Sequence, residues 1–139
     1  MDTFPRTFSA WTAALRRRGF VVLPASHAVP VQLWLLTADG SALHLLARGT
    51  RLTLRRFAAH DLAALVLRSE CDCEEHRAAG AAVRTVLAAG ATPTAEAVFD
   101  GAARLGWRGY EAGLLDVATT AEVFEELLAT LAGTEQAVA

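Results

Sequence analysis

Two groups of residues in this chain could do chemistry. The first is the run Glu70-Cys71-Asp72-Cys73-Glu74-Glu75-His76, which gathers four acids, both thiols of the chain and one of its four histidines. A Cys-x-Cys pair beside an imidazole offers soft metal ligands. The neighbouring carboxylates offer hard ones. As a site, Cys71, Asp72, Cys73, Glu75 and His76 would hold a metal, and with Glu74 they would centre a metal-dependent enzyme. A closed zinc site needs four ligands, and no second Cys/His cluster supplies them; His60 is the nearest spare imidazole. In a helix Cys71 and Cys73 would point to different sides. The same residues also suit an ordinary helix start, with Ser69 as cap and acids in the first turn.

The second group lies on strands. His44 and Arg48 share one parity, and Arg51, Thr53 and Arg55 share another. Paired across a turn, they make one basic sheet face, with Leu43, Leu45, Leu52 and Leu54 turned to the core. Trp34 and Leu36 add aromatic and apolar surface beside it. A basic face carrying an aromatic is the electrostatic footprint of nucleic-acid binding, and stacking on Trp34 would suit single strands. The candidate residues are therefore Trp34, His44, Arg48, Arg51 and Arg55. A half-solvated antiparallel sheet alternates in the same way without any ligand.

Other reaction chemistry has little to stand on. Gly106, Gly109 and Gly113 are too loosely spaced for a phosphate loop and follow a helix pattern. No G-x-S-x-G or H-E-x-x-H motif occurs, and adjacency of Ser26 and His27 does not make a triad. Tyr110 and Glu111, after Trp107, are placed either to line a pocket or to cover the core edge. No cofactor is implied.

These residues need elements to position them. Phe8, Trp11, Ala14 and Leu15 recur at helical spacing, which predicts a helix over 7–18 ending at Gly19. Strands follow at 20–23, 31–37, 42–47 and 51–55. Asp39-Gly40 predicts a type I′ hairpin and Arg48-Gly49-Thr50 a second tight turn. From Asp61 onward the reading is helical: a short helix to Arg68, a long one from Ser69 to Ala89, and a third opened by Thr92-Pro93 with Val98, Phe99, Ala102 and Leu105 on one face. Leu114 to Val117 reads as a short strand. Thr119 and Glu122 form a capping box for a last helix with Val123, Phe124, Leu127, Leu128 and Leu131 on its apolar side. The expected fold class is α+β: an N-terminal helix, a four-stranded antiparallel meander and a helical C-terminal half packed on one sheet face. Residues 1–133 make one domain and 134–139 a flexible tail.

The opening layout resembles that of restriction-endonuclease-like nucleases: a helix, Arg18-Gly19-Phe20, a strand, a hairpin, a strand and a helix. The resemblance covers the first half only. It implies an acid on the second strand and an acid-x-Lys on the third. Gln32 and Leu46-Ala47-Arg48 stand at those places, so it implies at most a non-catalytic relative.

Composition bounds the function further. The 139 residues fit one domain, 53% of them are apolar, and no disulfide or metal is needed to build a core. With no basic-then-apolar leader, no apolar run long enough for a bilayer and cysteines only one residue apart, a cytoplasmic protein without membrane contact is expected. Lys, Asn and Ile are absent, which fits a bacterial gene of high GC content. Residues 1–68 hold nine Arg against three acids and residues 69–139 four Arg against twelve, so +6 and −8 make the net −2. Such a split points either to an external partner or to pairing between the halves. The reading that follows is a small non-catalytic binding or adaptor protein acting through exposed sheet or helix faces, with a protein partner or a second copy (a homodimer). Nucleic acid on the basic hairpin and a metal enzyme at 70–76 are the alternatives.

Overall fold

A computed structural model of the chain describes residues 4–24, 26–28, 31–67 and 82–138. The candidate metal residues Cys71, Asp72, Cys73, Glu74, Glu75 and His76 lie outside them.

The first helix, α1, runs Phe8–Arg17, with the Thr7 hydroxyl accepting from the Ala10 amide as its cap. Trp11 and Leu15 bury its apolar side, and Phe8 packs against the same core. Two short strands, β1 (Val21–Val22) and β2 (His27–Ala28), pair side by side along β3 (Val31–Leu36). β4 (Ala42–Arg48) and β5 (Arg51–Phe57) continue the antiparallel meander. Their turns differ in kind. The β3–β4 loop holds three residues, because Thr37 N–H bonds Ser41 C=O, and within it only Gly40 has positive φ. The expected two-residue type I′ turn is thus replaced by a longer loop with glycine in the left-handed position. Asp39 serves this loop with its side chain, whose Oδ1 accepts from the Ser41 amide and from the hydroxyls of Thr37 and Ser41. Those bonds to the ionised form pull its carboxyl down to about 2. At the β4–β5 turn Arg48 and Arg51 are paired, with Gly49 at φ 61° leading a two-residue link.

The chain after Phe57 departs from expectation. The short helix expected from Asp61 is a 3₁₀ turn, Ala59–Asp61, followed by β6 (Leu62–Leu67). The end of the expected long helix is β7 (Ala82–Leu87), which pairs with β6 as a separate two-stranded sheet. The helix expected after Pro93 begins as β8 (Ala95–Asp100), antiparallel to β5, which closes the main sheet in the order β1-β3-β4-β5-β8 with β2 also on β3. Alternation explains β8: Ala97 and Phe99 are buried while Glu96 and Val98 are exposed. Only after Asp100 does the helix form. α2 spans Gly101–Leu105, capped by Asp100 Oδ1 on the amides of Ala102 and Ala103, and it ends at Gly106 in the left-handed region. The segment around Leu114 is the short helix α3 (Glu111–Leu114) and not a strand. α4 runs Val117–Val138, so it is helical through most of the span set apart as a tail. Its cap is Asp116, whose Oδ1 accepts from the Thr119 amide, three residues before the expected capping box.

The class is α+β, with the N-terminal helix and the C-terminal helix packed on the sheet. One face of the sheet (Val31, Leu33, Leu35, Leu43, Leu45, Leu52, Leu54, Ala97 and Phe99) joins Trp11 and Leu15 of α1 and Phe124, Leu127 and Leu131 of α4 in one core. Trp11 meets Phe124 edge to face at 5.8 Å, which ties the two helices together over it. Among the described residues no helix is long and apolar enough to cross a membrane.

Candidate functional site: the outer face of the sheet

With one face committed to the core, pleating sends every second residue to the other face. The strand register arranges them in rows. Val21, Leu36, Ala42 and Phe57 make the first. Trp34, His44, Arg55 and Glu96 make the second. His27, Gln32, Leu46, Thr53 and Val98 make the third, and Arg48, Arg51 and Asp100 the last. The five residues read from the sequence, Trp34, His44, Arg48, Arg51 and Arg55, therefore share one face in two of these rows. Leu43, Leu45, Leu52 and Leu54 are buried on the other, as their parity predicts.

Trp34 and His44 stack across β3 and β4, with ring centroids 3.9 Å apart and 14° between planes. The bonded pair Thr37–Ser41 fixes the alternation, so Trp34–His44 is a non-hydrogen-bonded pair, where side chains approach most closely. The Phe57 ring lies 6.2 Å from that of Trp34, tilted by 31°. Ser26, in the gap between β1 and β2, holds the Trp34 backbone: its Oγ accepts from Trp34 N–H at 2.8 Å and donates to Trp34 C=O at 3.3 Å. Ser26 is thus a positioning residue for the stack and not a nucleophile beside His27. The His44 imidazole is half-buried, and its Nε2 has no hydrogen-bond partner among the described residues. Burial, then the nearby Arg55 charge, lowers its pKa from the ordinary 6.5 to about 4, so it is neutral at neutral pH.

Two of the three candidate cations are paired. Arg55 Nε donates to Glu96 Oε2 at 2.6 Å, and Arg51 lies 3.8 Å from Asp100. Both acids come from β8, the strand that the sequence reading takes for helix. Arg48 is exposed and has no acid partner among the described residues. A further pair, Arg18 with Glu125, joins α1 to α4. Three of these ion pairs thus connect the basic first half to the acidic second half, and part of the charge split is internal pairing.

The remaining candidates do not converge on chemistry. His60 sits 3.7 Å from Asp61 at the surface. Glu111 accepts from the amides of Arg108 and Gly109, which holds its carboxyl below the usual range and folds the loop before α3; Tyr110 is 80% exposed. Gln32 and Leu46 lie opposite each other on the outer face, where the nuclease layout would place acids. Among the described residues no group of three or more His, Cys, Asp or Glu is placed to hold a metal ion. The face presents the stacked Trp34–His44 pair, aliphatic Leu36, Leu46 and Val98, and charges of both signs at fixed spacing. Comparison with known proteins finds no matching protein-family model, no matching curated protein and no matching solved structure.

Proposed function

We propose that this chain is a non-catalytic binding protein that uses the outer face of its main sheet, and that its partner there is a second copy of itself. The observation that carries this is the division of labour between the faces. The inner one is filled by α1 and α4, while the outer one presents Trp34, Leu46 and a 43% exposed Val98 among ordered charges. Specific interfaces combine such apolar centres with a polar rim, and aromatic and Arg residues dominate their energy.

The charges favour a like partner. Cations stand on β4 and β5 (Arg48, Arg51 and Arg55) and acids on the neighbouring β8 (Glu96 and Asp100). Turned by a two-fold axis, a copy sets its acids against these cations and receives the same in return, as an isologous interface requires. Sheets packed face to face in this way make a sandwich about 10 Å thick. The ion pairs on Arg51 and Arg55 also favour a protein over a polyanion, because nucleic acid would have to displace both acids or accept them beside its phosphates.

Sedimentation velocity across the micromolar to millimolar range tests this. A concentration-dependent dimer is expected, with Leu46→Arg driving it to monomer while the circular dichroism stays that of the parent. A strict monomer throughout the range overturns the proposal.

A further inference from the structure

Among the described residues β8 ends the main sheet, and its outer edge carries backbone groups that no described strand uses. Gly101 N–H bonds Thr50 C=O, so the antiparallel alternation turns the groups of Ala95, Ala97 and Phe99 toward β5. Those of Glu96, Val98 and Asp100 therefore point away from the sheet, and no bond from their amides to another described residue is present. Such a row is a template for another strand. Proline and bulges, common protections of an edge, are both missing between Ala95 and Asp100.

The side chains along this edge say what kind of strand fits. On the outer face β8 shows acid, valine, acid: Glu96, Val98 and Asp100. The chain already contains one complement to that pattern. β5 sets Arg55 against Glu96, Thr53 against Val98 and Arg51 against Asp100. A carboxylate has acceptor sites for more than one donor, and outer-face side chains stand between their two neighbouring strands. The open side of β8 thus repeats the requirement that β5 meets on the closed side. A second β8 does not meet it: paired about a two-fold axis at Val98, each Glu96 would face an Asp100, and like charges directly opposite are destabilising.

We infer that the free edge of β8 captures an extended basic segment of a partner protein by strand addition, with cationic side chains at i and i+4 and a β-branched or aliphatic residue at i+2. The pattern is symmetric about Val98, so it fixes spacing and not direction. The backbone edge is distinct from the face assigned to the second copy, since face-to-face packing leaves strand edges free, although Glu96, Val98 and Asp100 would serve both.

A synthetic nonapeptide with arginine at its third and seventh positions, valine at its fifth and threonine or serine elsewhere sets arginine, valine and arginine on one strand face, and it tests the inference with ¹⁵N-labelled full-length protein as its target. Three comparisons decide it. The amides of Glu96, Val98 and Asp100 should gain at least about tenfold protection from hydrogen exchange on saturation. The same peptide, N-methylated on the residues whose amides would bond β8, should bind at least about tenfold more weakly. A scrambled peptide of equal charge should bind as weakly as the methylated one. Glu96→Gln with Asp100→Asn should also weaken binding; asparagine still caps α2. Val98→Pro removes an outward donor and no β5 bond, and should abolish protection. Equal affinity of the three peptides overturns the inference, because attraction would then be charge alone. So does protection that maps to other amides, or an absence of binding. The methylated peptide needs no protein variant, so misfolding of Val98→Pro cannot mask the result, and sedimentation of the free protein reports the second-copy proposal separately.

Discussion

Trp34 and His44 stack at 3.9 Å on the outer sheet face, and the histidine inside that stack is neutral because burial and Arg55 both oppose its charge. This links a packing contact to a pH dependence. The imidazole titrates at 6.5 when unfolded and at about 4 when folded. Between these values the unfolded chain binds the proton and the native one does not, so stability rises with pH. We expect the His44 contribution to be complete above pH 6.5, to be lost as pH falls toward 4, and to change no further below that. Urea unfolding of the parent and of His44→Gln at several pH values checks it. The difference between the two proteins should vary across this window, and an NMR titration should place the native imidazole near 4. A native imidazole titrating at its ordinary value would sink this reading of the stack.

Ser26 reaches the same stack through the backbone. Its Oγ satisfies the Trp34 amide in the stretch of β3 that neither β1 nor β2 covers, and it shares the Trp34 carbonyl with Leu23 N–H, which bonds it at 2.9 Å. Ser26→Ala leaves the Trp34 amide to water or to no one, at about 1 kcal/mol, while the Trp34 carbonyl keeps its bond from Leu23 N–H. The stability loss should come with faster hydrogen exchange at the Trp34 amide, and exchange at the Leu33 and Leu35 amides should be unchanged.

How much of this was legible depends on which period the residues announce. β5 alternates cleanly from Arg51 to Arg55, and β3, β4 and β5 are separated by Asp39-Gly40 and Gly49, so their existence, pairing and outward parity can be read before any coordinate. The stripe Val123, Phe124, Leu127 and Leu131 likewise marks α4, and all four residues are buried. β6 to β8 hide in alanine. Leu62-Ala63-Ala64-Leu65-Val66-Leu67 has the composition of a helix, yet it pairs with Ala82–Leu87. Helix propensity is a weak prior that pairing overrides. Ala95 to Asp100 contains both signals, since Val98, Phe99, Ala102 and Leu105 fit a helical face while Ala97 and Phe99 against Glu96 and Val98 fit a strand. The sheet edge beside β5 decides for the strand, and Asp100 defers the helix by capping it. That one misreading also conceals Glu96 and Asp100 from the candidate face. The basic residues are legible at Arg51 and Arg55, but their neutralising partners lie 49 and 41 residues on, in a segment whose period is ambiguous.

Gly101 offers a test of packing at the β8–α2 junction. It is buried with ordinary φ, so its role is space: a Cβ there would overlap the Trp107 indole, which packs 5.8 Å from Phe99. Arg104 lies over the Phe99 ring, its guanidinium carbon 4.4 Å from the centroid. Gly101→Ala should cost about 3 kcal/mol, at the upper end of overpacking. Combining it with Trp107→Leu should recover part of that loss, giving a coupling energy of about 1 kcal/mol or more between neighbours in contact. Additive effects would mean that the indole moves aside freely.

Arg55 and Glu96 sit side by side on the outer face, joined at 2.6 Å, with roughly two fifths of each side chain exposed. Water and salt screen such a pair, and holding two long side chains in register costs entropy. A double-mutant cycle of Arg55→Ala and Glu96→Ala should therefore give a coupling of only about 0.2–1 kcal/mol, shrinking further in high salt. The pair's weight should appear elsewhere. If the cations and acids of this face set the register of a second copy, Glu96→Arg should reduce dimerisation by far more than it reduces stability. The reciprocal Arg55→Glu, combined with it in the same chain, should restore part of the association, because the exchanged charges again face opposite signs across the two-fold axis. Sedimentation equilibrium on the single and double variants separates these outcomes. A double variant no better than the singles would remove charge matching from the account of the interface.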